Sequence, residues 1–222
     1  MLFNAPIFPL FFGVVYLLYR LSNHRAQNLL LLVASYFFYA WWDWRFLSLI
    51  AISTLVDFWV GAAVYKEQDE KRRKRLLLLS MVVNLGFLGF FKYFDFFIAS
   101  FVELLQSFGL QPSVSTLGII LPVGISFYTF QSMSYTIDYY RGRIPLEPNL
   151  VRFAAYVALF PQLVAGPIER AESLLPQLKA RPQPRWADFA EGLSLFEMGL
   201  FKKLALANYL AAYVDPIYAD PG

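Results

Sequence analysis

The sequence predicts an all-α integral membrane protein, an irregular multi-span helical bundle that includes broken and re-entrant helices. Three observations predict it. The 222 residues are 58% hydrophobic and 16% charged, with mean hydropathy +0.48, which is more apolar and less charged than soluble domains. Five segments meet or approach the roughly 20 apolar residues that a helical span requires. The charges gather in short stretches between those segments.

The first span is expected at 5–21. No basic residue precedes it and Arg20 follows, which is the pattern of a retained helix rather than a cleaved leader. Spans at 27–42 and 44–65 come next. The loop KEQDEKRRKR, 66–75, holds six Lys/Arg, and short basic loops stay in the cytoplasm. That places the N-terminus outside. A span at 76–98 then runs outward, 99–115 is an external amphipathic or loop segment, and a span at 116–140 returns to Arg141, Arg143 and Arg152. The stretch 150–167 is short, contains Pro161, and has basic residues on both flanks. Crossing would put the second basic set outside, so it reads as a re-entrant loop on the cytoplasmic side, closed by Gly166 and Pro167. Proline removes a backbone donor and blocks a helix. Irregular backbone at membrane depth needs protein or a wet cavity around it. A further helix is expected at 188–215, interrupted by Lys202 and Lys203, which either snorkel or line a cavity.

Polar residues inside the spans are the candidate functional groups. Tyr128, Gln131, Tyr135 and Asp138 are spaced by three, four and three, which sets them on one helix face. Such a stripe turns toward the bundle interior. It provides either interhelical hydrogen bonds or the wall of a polar conduit. Asp57 lies about 13 Å below the basic loop at helical rise, where a charge needs a partner or must be protonated. Lys92 and Asp95, three apart, are positioned to pair with each other. There is no cysteine and one histidine, His24. Thiolate nucleophiles and thiolate or histidine-rich metal sites are therefore excluded for this chain, and no bound cofactor is expected. The basic residues are topological, so no nucleic-acid partner is expected.

Two stretches, "LPVGISFYTFQSMSYTIDYYRG" from Leu121 and "LFPQLVAGPIERAESLLPQL" from Leu159, resemble the membrane-bound O-acyltransferase family. "SYFFYAWWDWRFLSLIAISTLVDFWVG" and "GLFKKLALANYLAAYVDPIYAD" are similar to its bacterial branch, which serves alginate O-acetylation and D-alanyl transfer to teichoic acid. The resemblance implies an irregular helical bundle around a tunnel. It implies acyl transfer from a cytoplasmic thioester such as acetyl-CoA, as co-substrate, to a hydroxyl of a cell-envelope polysaccharide such as alginate. It implies a bacterial inner membrane location, a lipid surround and periplasmic acetyl-transfer partners. The family's histidine base lies in the second half of a longer protein, and His24 matches no catalytic motif. The chain therefore resembles the N-terminal half, its partner is the missing C-terminal half, and no catalytic residue is assigned. Alone it is expected to be inactive. The competing readings are an envelope-precursor transport component, for which no internal repeat is visible, and a non-catalytic membrane scaffold.

Overall fold

The computed structural model describes residues 3, 5–110, 117–163, 166–180 and 185–219. Residues 111–116, 164–165 and Arg181 therefore lie outside the description, as does the start of the span expected at 116–140. All regular structure among the described residues is helical. The chain forms two units, one running Pro9–Ala180 and one of Leu2–Phe8 with Arg181–Gly222.

The first unit takes in nearly all of α1, Ile7–Leu21. Asn23 then caps α2, His24–Asp43, its side-chain oxygen accepting the Ala26 N–H at 3.0 Å. This satisfies one of the free donors of the first turn. The α2 helix ends at Asp43, whose backbone is extended (φ −160°, ψ 110°). The Asp43 carboxylate accepts the Arg45 N–H at 3.0 Å and the Arg45 guanidinium at 2.6 Å. A 3-10 turn, Trp44–Phe46, then leads into α3, Leu47–Lys66. The WWDWRF sequence is thus a corner.

Asp69 caps α4, Glu70–Leu88. The helix starts inside the basic loop, six residues before the apolar run begins at Leu76, because Glu, Lys and Arg are good helix formers once an acid caps them. It continues through a wide π-type turn, Gly89–Tyr93, into α5, Phe94–Ser107. Two helical stretches, His24–Lys66 with its corner at Asp43–Phe46 and Glu70–Ser107 with its π-type turn, are long and apolar enough to cross a membrane. Ile7–Leu21 and Leu150–Leu163 are shorter apolar helices.

Among the described residues of the stretch expected as a helix over 116–140, only α6, Ile125–Tyr140, is helical. It starts on Gly124 in the left-handed region, φ +75°, a conformation that side chains disfavour. The expected Lys92–Asp95 pair does not form. Asp95 instead accepts the N–H groups of Leu117 and Ile119 at 2.9 and 2.8 Å. Lys92 Nζ reaches Ser126 Oγ at 3.4 Å. The π turn changes the angular step between 92 and 95, so the usual spacing rule fails there.

The segment after Asn149 is more helical than a loop. It forms α7, Leu150–Ala158, α8, Phe160–Leu163, and α9, Ala171–Lys179. The break falls at Leu159 (ψ 114°). Pro161 does not end a helix; it lies in the first turn of α8, where its missing N–H costs nothing. The two ends of this segment meet. Glu147, fully buried, contacts Arg152 at 3.0 Å and Lys179 at 3.2 Å. Asn28 at the start of α2 donates to the Leu178 carbonyl at 3.1 Å.

The core of this unit is aromatic. Tyr39, Tyr128, Tyr135, Phe153 and Tyr156 are buried together with Ile50 and Ala155. Outward-facing residues are equally apolar: Trp59 is 56% exposed, Val82 68% and Phe97 65%. Apolar surface of this extent requires cover by lipid or protein.

The second unit holds α10, Trp186–Phe201, a π-type turn, Lys202–Ala207, and α11, Asn208–Ala219. Asp188 accepts the Arg185 N–H at 2.8 Å and so caps α10. Lys202 and Lys203 open the π turn.

Candidate functional site

The polar residues of the first unit form connected groups between helices. The deepest centres on Asp57, which is fully buried on α3. Its carboxylate accepts hydrogen bonds from Ser80 Oγ and Ser132 Oγ, and from the Asn84 side-chain amide, which lies 3.0 Å from both carboxylate oxygens. Ser53 Oγ in turn donates to the Asn84 side-chain oxygen. Ser80 and Asn84 are four apart on α4, and Ser132 is on α6. One carboxylate thus ties three helices through three donor groups, one oxygen facing Ser80, the other Ser132, and both within reach of the Asn84 amide.

The four residues of the predicted stripe all lie on α6 and are all buried: Tyr128, Gln131, Tyr135 and Asp138. They divide between different partners. Gln131 Nε2 donates to the Tyr156 carbonyl at 2.6 Å, and Tyr156 Oη donates back to the Gln131 carbonyl at 3.1 Å. Tyr135 Oη accepts the Glu147 N–H at 3.0 Å. Asp138 pairs with Arg143 at 3.4 Å. The Tyr128 hydroxyl has no hydrogen-bond partner among the described residues. At the same end of α6, Tyr140 Oη donates to Glu70, and the Arg73 guanidinium lies 5.4 Å from the Tyr140 ring centre. This fixes the C-terminal end of α6 to the basic loop.

At the other end, the LPVG turn meets the α7–α8 segment. A Cβ on Gly124 would lie 2.3 Å from the Leu163 carbonyl oxygen, so only glycine admits this approach. Tyr39 Oη donates to the Val123 carbonyl at 3.0 Å, and Ser35 Oγ accepts the Phe160 N–H at 3.1 Å. Gly166 packs as closely on Gln162, where a Cβ would come 2.5 Å from its Cα. Pro167 is exposed and Pro161 is exposed.

His24 is the first residue of α2, half-buried, with Nδ1 unpartnered among the described residues. No cluster of His, Cys, Asp or Glu suited to a metal ion occurs among the described residues. Sequence reading missed Glu147, Tyr39, Asn84 and the serines around Asp57. The i, i+4 pair Ser80/Asn84 inside an apolar run was a visible signal for the Asp57 group. Glu147, in a proline-flanked loop, gave none.

A helical chain with an apolar exterior, two stretches long enough to cross a bilayer and a hydrogen-bonded polar interior is the build of a membrane protein. The chain is homologous over nearly its whole length to part of proteins named as alginate O-acetylases, and so resembles part of a membrane-bound O-acyltransferase. It is 47% identical over 221 residues, 99% of its own length, to the probable alginate O-acetylase AlgI of Pseudomonas aeruginosa, of which it covers 42%. It is 45% identical over its whole length to the probable alginate O-acetylase AlgI of Azotobacter vinelandii, covering 45% of that protein. It is 32% identical to the peptidoglycan O-acetyltransferase of Helicobacter pylori, covering 46%. The chain thus spans less than half the length of these relatives. No family model and no solved structure matches it.

Proposed function

We propose that this chain is part of a bacterial membrane O-acetyltransferase that moves an acetyl group from a cytoplasmic thioester to hydroxyls of an envelope polysaccharide, alginate being the best-supported acceptor. The observation that carries the reading is 47% identity sustained over 99% of the chain to a probable alginate O-acetylase. Identity to the peptidoglycan enzyme is 32%, which makes peptidoglycan the second choice.

In this reading the loop 66–75 is cytoplasmic and the N-terminus is outside. The chain enters at Glu147, reaches its deepest point near Leu163 and returns to Lys179, a re-entrant hairpin whose ends share one carboxylate. The α6 stripe and the hairpin are wall, and the groups that perform acyl transfer come from outside these 222 residues. Hydroxyl acylation needs a general base within hydrogen-bond reach of the acceptor. His24 matches no catalytic motif, and Asp57 is already held by Ser80, Asn84 and Ser132.

The test is complementation in an alginate-producing strain that lacks its own O-acetylase. The chain is expressed alone and with the remaining half of a related enzyme, and acetyl ester on secreted alginate is measured. Ester is expected only with both halves. Ester on peptidoglycan and none on alginate would move the acceptor to the second choice. Ester from the chain alone would place the base within it.

A further inference from the structure

The first two turns of α4 carry the basic residues Lys71, Arg72, Arg73, Lys74 and Arg75, and the structure divides them into two sets. Arg72 lies 3.7 Å from Glu67 and 3.7 Å from Asp69, and Arg73 pairs with Glu70 at 3.0 Å. Lys71, Lys74 and Arg75 are exposed and have no carboxylate partner among the described residues. The acids of the loop are thus engaged by Arg72 and Arg73.

The three unpaired cations share a face. At 3.6 residues per turn, positions 71, 74, 75, 78, 82 and 85 fall within about 60° of one line along the helix. Leu78, Val82 and Leu85 on that line are exposed, Val82 at 68%. Ser80 and Asn84, which hold Asp57, lie on the opposite face. The stripe therefore turns away from the bundle. From Arg75 to Leu85 it runs about 15 Å at helical rise, half of a hydrocarbon core roughly 30 Å thick, which is one leaflet.

We propose that this face of α4 binds an anionic glycerophospholipid. Its phosphate sits among Lys71, Lys74 and Arg75, and its acyl chains lie along Leu78, Val82 and Leu85. The charges are complementary. Lys71 lies in the first turn of α4, where the positive end of the helix dipole repels a cation and attracts a phosphate. An acidic protein would satisfy the cations but leave the apolar stripe below them uncovered. The site does not depend on the acyl-transfer reading. It requires only that α4 crosses a bilayer, which its length and composition allow.

The chain has no cysteine, so Leu78→Cys takes a single fluorophore. The labelled chain is placed in vesicles of phosphatidylcholine and phosphatidylglycerol, and quenching is measured with a nitroxide on the acyl chain of one lipid or the other. At equal mole fraction, nitroxide-phosphatidylglycerol should quench better than nitroxide-phosphatidylcholine. Lys74→Gln should lower that preference up to about fivefold, the effect of one cation at an anionic surface. Replacing Lys71, Lys74 and Arg75 together with glutamine should abolish it. Arg72→Gln removes the same charge from a different face and should leave the preference unchanged. Equal quenching by the two lipids in the parent would overturn the proposal. So would an equal loss with Arg72→Gln, since the preference would then follow the net charge of the loop. A preference kept by the triple variant would overturn it as well, and would leave the three cations to a soluble acidic partner.

Discussion

Replacing Asp57 with alanine should separate α3, α4 and α6 energetically. The carboxylate is fully buried and takes hydrogen bonds from Ser80, Asn84 and Ser132. Alanine strands these donors. Interhelical hydrogen bonds in membranes average about 0.6 kcal/mol each and reach about 1.7. A buried donor left wholly unsatisfied costs about 1–3 kcal/mol. The two serines recover part of this by turning to carbonyls of their own helices, and Asn84 keeps its bond to the Ser80 carbonyl at 3.0 Å. The expected loss for Asp57→Ala is therefore about 2–4 kcal/mol. Asp57→Asn keeps one acceptor oxygen and places an amide where Ser132 can accept from it, so it should lose only about 1 kcal/mol. The assay is denaturant unfolding in lipid nanodiscs followed by tryptophan fluorescence. A double-mutant cycle with Ser132→Ala should show coupling, because the pair shares one bond. If Asp57→Ala matches the parent within about 0.5 kcal/mol, the carboxylate holds nothing together and the three-helix node is not the organising contact.

Three further outcomes are expected. Gly124→Ala should destabilise by about 2 kcal/mol or more in the same unfolding assay, because it combines a left-handed backbone with a Cβ placed 2.3 Å from the Leu163 carbonyl. Glu147→Gln should cost about 1–3 kcal/mol, since Arg152 keeps its charge at 21% exposure without a counter-ion; the more exposed Lys179 adds little. Reporters fused after Arg143 and after Arg185 should both read cytoplasmic, and a periplasmic signal at Arg185 would show that 150–167 crosses the bilayer.

Much of the helical layout was legible in the sequence, because apolar runs and loop charges report lengths and ends directly. Helices His24–Asp43 and Leu47–Lys66 fall within a few residues of the expected 27–42 and 44–65. The start of α4 in the charged loop was not legible, since hydropathy sees the apolar run and not the Asp69 cap. Nor were the π-type turns, which leave no strong mark in composition. That is why the Lys92–Asp95 pairing was misjudged: a spacing rule assumes an unbroken α-helix. The even phase of Tyr128, Gln131, Tyr135 and Asp138 was visible, yet their partners were not. Tyr135 bonds to the chain at Glu147 and Gln131 to the chain at Tyr156, and such choices depend on tertiary packing. The tightness at Gly124 and Gly166 was marked only by the glycines themselves.

The partners of α2 lie far along the chain, which bears on the order of events during synthesis. Phe160, whose N–H Ser35 accepts, comes 125 residues later, and Leu178, the partner of Asn28, comes 150 residues later. At about 5–20 residues per second, α2 waits roughly 6–30 s for them. It is built for that delay. Ser35 Oγ also donates to the Leu31 carbonyl at 2.6 Å within its own helix, so its proton is never idle. Asn28 lies in the second turn of the helix, near its exposed N-terminal end, where its amide stays open until Leu178 arrives. Docking of the 150–179 segment onto α2 is then a late step that converts temporary bonds into permanent ones, and the ribosome has made most of this chain before it can occur.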